Sequence, residues 1–305
     1  MKKYLFKILI FAFLLIITFL SVVLVSSEIV RKRHFENWET ESNLLILKPN
    51  THYDIMFIGN SHARNFSRHN NHKRVENILG KKFLNIGQTA ARCGANEYSF
   101  YLNYCYSRNI SADLIIVTVS TPMLYAEYNN IASNTFEEEP LNIKFLSQYI
   151  KFNSENKWQR IFYYIKSKVE KSWLTKKPYS LDAKTDSLLE IDSAAIEKGF
   201  KIAFIDGFDS TTFNNNAKKI ENLIELAQKN NAEIIFITTP TLFGEWPNHA
   251  ELEKLMKIFE QKYGVKYYDF SNEIKNPNLY YDHHHLNTKG IVFFTENYLK
   301  PIIDK

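Results

Sequence analysis

Apolar residues follow two spacings along the chain. Ile8 to Val25 is a charge-free run of about eighteen residues, whereas from Thr51 onward short apolar stretches alternate with segments whose apolar positions recur every three or four residues. The first pattern suits a helix long enough to cross a bilayer core of roughly 30 Å. The second is the pattern of a parallel sheet built from strand–helix–strand units. Predicted strands are Asp54 to Ile58, Lys82 to Ile86, Leu114 to Val119, Glu233 to Thr238 and Val265 to Asp269. Predicted helices are Gly94 to Arg108, Asn214 to Asn230, His249 to Gly264 and Asn287 to Ile302, which gives an α/β domain with helices on both faces of a five-stranded sheet.

The chain divides into an anchor over 1–30, a linker over 31–51 and one α/β domain over 52–305. About ninety residues, 121–212, separate the third strand from the next regular unit, and they are rich in Tyr, Phe, Trp and Lys, with an acidic run from Glu137 to Glu139. A structureless loop of that length is improbable in a compact domain, so a partly helical insertion is expected, either a cap over the carboxyl edge of the sheet or a solvated elaboration. The apolar run follows Lys2, Lys3 and Lys7. Its length favours a signal anchor over a cleavable signal peptide, with Val25-Ser26-Ser27 the alternative cleavage point. Arg31, Lys32 and Arg33 nearly balance the first lysines, so charge alone leaves orientation open. First-helix anchors of this layout usually keep the N-terminus inside, which puts the C-terminal body outside the cytoplasm.

A net charge of +5 over 305 residues, with basic and acidic residues interspersed, argues against nucleic acid as a partner. Cys93 and Cys105 fall in or beside one predicted helix, roughly 18 Å apart at about 1.5 Å per residue, beyond disulfide reach.

Two segments carry candidate chemistry. Phe57-Ile58-Gly59-Asn60-Ser61 ends an apolar strand in a turn, where open α/β sheets bind ligands; the same Asn60-Ser61 would also cap a following helix. A serine hydroxyl needs a base, and Asp282-His283-His284-His285 supplies an acid and an imidazole three residues apart. His285 has the spacing for the base and Asp282 for its orienting carboxylate. A metal site is not expected, because adjacent histidines share no face on a helix or strand and no further acidic or cysteine ligands are evident; nor is a cofactor.

With these blocks the sequence resembles the SGNH (GDSL-like) hydrolase superfamily from Asp54 to the C-terminus. Gly59-Asn60-Ser61 matches the nucleophile block, Asp282 to His285 the last block, and Asn85-Ile86-Gly87 the block whose glycine N–H serves the oxyanion hole. The resemblance implies a flavodoxin-like three-layer fold behind one transmembrane helix, with Ser61, Asp282 and His285 as catalytic triad and Ser61 and Gly87 as oxyanion donors. It departs at the third block, where Ser120-Thr121-Pro122 stands in place of Gly-x-Asn-Asp, so Ser120 or Thr121 becomes the candidate second donor. Pro240 and Thr241 either line the same pocket or form an ordinary turn. Departures of this kind look like the D-alanyl transfer protein of teichoic acid synthesis and the alginate O-acetylation proteins. The expected function is that of an extracytoplasmic esterase or O-acyltransferase on an envelope polysaccharide or related polymer, served by a membrane-bound acyl donor protein. The alternative is an inactive glycan-binding component of an assembly complex.

Overall fold

The computed structural model describes residues 2–35, 47–88, 94–125, 139–154, 156–176 and 182–304; Cys93, Glu137 and Glu138 lie outside them. In chain order the elements are α1 (Lys2–Val30), β1 (Thr51–Ile58), α2 (Ser61–Arg64), α3 (Asn71–Leu79), β2 (Phe83–Asn85), α4 (Ala95–Ser107), β3 (Ile110–Thr118) and α5 (Thr121–Tyr125). They continue with α6 (Ile143–Lys151), α7 (Lys157–Ser167), α8 (Lys171–Leu174), α9 (Ser193–Ala203), α10 (Ser210–Lys229), β4 (Glu233–Thr238), α11 (His249–Tyr263), β5 (Lys266–Asp269), α12 (Thr288–Phe294) and α13 (Lys300–Ile303).

The chain forms two compact units. One joins residues 1–39 to 134–179, and the other joins 40–133 to 180–305. The second unit holds a five-stranded, all-parallel sheet in the order β2-β1-β3-β4-β5. This is the doubly wound order in which the direction of strand addition reverses between β1 and β3, so their carboxyl ends frame a crevice.

Both sheet faces are covered, as the near-continuous apolar strands require. On one face Ile55, Phe57, Ile116, Ile235 and Ile237 pack with Val75 and Leu79 of α3 and Ile291 and Phe294 of α12. On the other, Met56, Ile115, Val117 and Phe236 are buried, with the Phe236 ring tilted against Phe259 of α11.

Helix starts are set by side-chain caps. Asp209 accepts from Thr212 N at 2.7 Å to open α10, and Asn287 accepts from Gly290 N at 3.0 Å to open α12. The predicted strands all appear, shifted by a few residues at their ends, and α3 is an element the pattern reading passed over. The predicted C-terminal helix is interrupted by a π-helical stretch over Thr295–Leu299.

In the first unit, α1 continues into a π-helical turn over Arg31–Phe35, where a linker was expected. Of the expected 121–212 insertion, residues 134–179 belong with α1, while 180–212 and α5 belong with the sheet.

Candidate active site

Ser61 stands at the first position of α2, just past the end of β1. Asn60 precedes it in extended conformation and accepts from His62 N at 3.1 Å, which fixes the sharp strand-to-helix turn. Gly59 makes the turn possible: its φ is +152°, and a Cβ there would overlap the Thr118 hydroxyl. Asn60 therefore caps the helix, and Ser61 stands at its first position beside the carboxyl end of β1.

The loop between β5 and α12 brings the other block to the same place. Asp282 Oδ1 accepts from the backbone N–H groups of His284 at 2.9 Å and His285 at 2.8 Å, closing a tight turn. Asp282 Oδ2 lies 2.8 Å from His285 Nδ1, and His285 Nε2 lies 2.8 Å from Ser61 Oγ. A carboxylate only accepts, so Nδ1 carries the imidazole proton and Nε2 accepts from the serine hydroxyl. An imidazole held this way can take the hydroxyl proton as the oxygen attacks a carbonyl carbon. Burial disfavours the Asp282 charge, but the His285 hydrogen bond and the two neighbouring histidines outweigh it and hold the carboxyl well below its usual range.

His285 is wedged between two rings. Tyr281 stacks on it at 5.5 Å and 1°, and His62 lies against the ring at 4.9 Å. His62 is buried, its Nδ1 is 2.7 Å from the Thr239 hydroxyl, and burial followed by the neighbouring His285 keeps its pKa well below the imidazole range. Asn65 ties α2 to the loop by donating to Leu286 O at 2.5 Å. His284 packs edge-on to Trp246 at 5.5 Å, and burial lowers its pKa to about 3. His283 faces elsewhere, its Nε2 accepting from Asp192 N at 3.1 Å. None of His62, Asn65, Thr239 or Trp246 was singled out from sequence; only the position of His62 beside Ser61 was a usable signal.

The oxyanion candidates separate. The Ser61 N–H opens α2 and has no partner among the described residues. The Gly87 N–H donates to Asn85 Oδ1 at 2.8 Å, so it is not free to receive an oxyanion in this state. Ser120 and Thr121 are 4% and 0% exposed, and the Thr121 hydroxyl has no hydrogen-bond partner among the described residues. Pro240 lines a cavity of about 10 Å³, room for one water, with His62, Asn65, His284 and His285. Thr241 instead fastens its own turn, donating to Gly244 O at 2.6 Å.

Residues 282–285 form a turn, not a helix or strand, so neighbouring histidines can face one point. Asp282, His284 and His285 each offer a metal-ligand atom, all within 4.8 Å of one another, as do His249, Glu253 and Asp269 elsewhere. Asp282 Oδ2 and His285 Nδ1 are joined by a 2.8 Å hydrogen bond, so a metal held by those two atoms would break the relay.

No family model matches the chain, and no curated protein is similar to it. Among solved structures it is similar to a protein described as an acylhydrolase from Bacteroides fragilis NCTC 9343 (12% identity, TM-score 0.43, 88% of this chain and 95% of that one). It is also similar to a GDSL-like lipase from Bacteroides thetaiotaomicron VPI-5482 (11%, 0.41, 82% and 87%). A third is an acetyl xylan esterase from the rumen bacterium Butyrivibrio proteoclasticus (12%, 0.38, 82% and 62%). Similarities this distant transfer no residue roles.

Proposed function

We propose that the chain is a membrane-anchored serine esterase or O-acyltransferase acting outside the cytoplasm on acyl esters of an envelope polysaccharide or related polymer. The observation that carries the chemistry is the unbroken Ser61–His285–Asp282 chain of hydrogen bonds at the carboxyl edge of the sheet. Ser61 Oγ attacks the ester carbonyl, His285 Nε2 takes the hydroxyl proton and returns it to the departing alcohol, and Asp282 holds the Nδ1–H. The Ser61 N–H is the donor available to the oxyanion, and Gly87 joins it once its N–H leaves Asn85. The acyl–Ser61 ester then passes to water or to a sugar hydroxyl. Transfer would draw its acyl groups from a membrane-bound donor protein.

The anchoring part of the proposal rests on α1, which is long and apolar enough to span a bilayer. A second reading, a glycan-binding component without turnover, draws on the occupied Gly87 N–H and the missing third-block asparagine.

A fluorophosphonate probe separates the two. Labelling of the full chain that disappears in Ser61→Ala supports the enzyme; absence of labelling in both supports the binding component. Glycan mass spectrometry of cells with and without the protein then identifies the acyl group.

A further inference from the structure

Counted along the chain, basic and acidic residues look mixed; counted over α6–α8 alone, they do not. Together α6, α7 and α8 carry six Lys or Arg and no acidic residue, whereas the whole of 134–179 carries nine Lys or Arg and five Glu, a balance of +4 against +5 for the whole chain. The basic excess thus resides entirely in α6–α8, and the remainder is close to neutral. Lys144, Lys151, Lys166 and Lys171 are exposed.

The same three helices carry large apolar side chains in solvent. Trp158 and Phe162, one turn apart on α7, are 68% and 61% exposed, and Ile143 on α6 is 66% exposed. Each helix does have a buried side, filled by Phe145, Tyr149, Tyr164 and Trp173, so the exposed residues are not core side chains left uncovered by a loose fold. Lysines interleaved with Trp, Phe and Ile on short amphipathic helices are the composition of an element lying in a membrane interface.

The anchor fixes where this surface lies. Residues 2–22 of α1 are exposed throughout, and Tyr4 to Val22 spans about 28 Å at the helical rise, enough for a bilayer core. Beyond them Val23, Ser26, Ser27 and Val30 are buried by the insertion. Ser26 Oγ donates to Lys168 O at 2.8 Å, Leu141 N donates to Ser27 Oγ at 2.7 Å, and Arg33 donates to Leu174 O at 2.6 Å. The insertion therefore grips α1 at the level where it leaves the lipid. An apolar groove of about 360 Å³ opens at that level, lined by Val22, Val25, Ile29, Val30 and Leu174.

We infer that α6–α8 form a collar that docks on the anionic bilayer surface around the exit of α1, with Trp158, Phe162 and Ile143 inserted among the lipids and the lysines against phosphate headgroups. This inference rests on α1 spanning the membrane and is independent of the chemistry at Ser61.

The test uses the full chain in vesicles of phosphatidylcholine alone or mixed with phosphatidylglycerol, each also prepared with brominated acyl chains. Docking predicts bromine quenching of tryptophan emission that is greater with phosphatidylglycerol and is lost in Trp158→Phe. In a variant with Lys144, Lys151, Lys166 and Lys171 all changed to Gln, the phosphatidylglycerol enhancement falls, roughly fivefold per lysine in the docking equilibrium. Circular dichroism checks that this variant keeps its fold. Unquenched Trp158 in vesicle-retained protein overturns the collar and points to a soluble partner. Equal quenching in both lipids overturns the anionic specification. Loss of the chain on carbonate extraction overturns the anchor itself, and fluorophosphonate labelling of Ser61 reads the proposed activity separately.

Discussion

The Gly87 N–H donates to Asn85 Oδ1 at 2.8 Å, and the amide nitrogen of the same asparagine donates to Ala63 O at 2.7 Å. Asn85 is fully buried and so clasps the end of β2 to the helix that begins with Ser61. Asn85→Ala leaves the buried Gly87 N–H without its partner, at about 1–3 kcal/mol, and removes one of the hydrogen bonds to Ala63 O, which still accepts from Phe66 N. Its thermal midpoint should fall, and labelling at Ser61 should slow because α2 is no longer held. Asn85→Asp keeps the acceptor for Gly87 and loses the donor to Ala63, so it should fall between Ala and wild type. Equal midpoints for all three proteins would contradict the clasp.

Asp282→Asn tests the other end of the relay. The amide no longer enforces the Nδ1–H tautomer of His285, and in a well-studied serine protease the corresponding change costs about 10⁴-fold in kcat. A drop of that order in ester hydrolysis is expected, with the protein still folded. The folded-state pKa of Asp282 is lowered, so its contribution to stability is present above the unfolded value and lost as pH falls through the folded one. The stability gap between wild type and Asp282→Asn should accordingly close as pH falls below the unfolded carboxylate value of about 4.

The sheet was readable because Asp54 to Ile58, Leu114 to Val119 and Glu233 to Thr238 are apolar runs of strand length, buried on both faces. The site residues at strand ends and caps were readable for the same reason, since Gly59, Asn60 and Asn287 mark turns by residue type. What escaped was set by tertiary contact. Nothing local reveals that Asn85 will take up the Gly87 N–H, that Trp246 will meet His284, or that the 134–179 insertion will join α1 instead of the sheet. The short α3 was missed because its apolar residues, Val75, Ile78 and Leu79, are few.

His249 and Asp269 tie α11 to the end of β5 through a 2.7 Å contact. Burial opposes both charges, yet the hydrogen bond and the Coulomb attraction between them raise the histidine pKa and lower that of the aspartate. For a raised histidine, the contribution is complete below its unfolded pKa of about 6.5 and is lost as pH climbs through the folded value. His249→Gln should therefore destabilise the protein more at pH 6 than at pH 9, by a difference of about 1–2 kcal/mol for a charge-assisted hydrogen bond. Denaturant midpoints at the two pH values check the sign; a larger effect at pH 9 would be the wrong one.

Gly59→Ala addresses the turn that presents Ser61. A Cβ at position 59 overlaps the Thr118 hydroxyl and approaches Ala63 Cβ to 3.0 Å, on a backbone whose φ of +152° L side chains rarely adopt. Overpacking of this kind costs about 1–3 kcal/mol, and the strained dihedral adds to it. Thr118→Ala removes the atom in closest conflict, and that hydroxyl has no hydrogen-bond partner among the described residues, so the single change should be mild. The double variant should recover part of the stability lost in Gly59→Ala, because the two sites share one volume and their effects cannot add. Recovery should remain incomplete, since the Ala63 contact and the dihedral are untouched. Simple additivity of the two changes in a thermal-melt cycle would show that the turn tolerates a side chain by moving elsewhere, and that Gly59 is not what sets the position of Ser61.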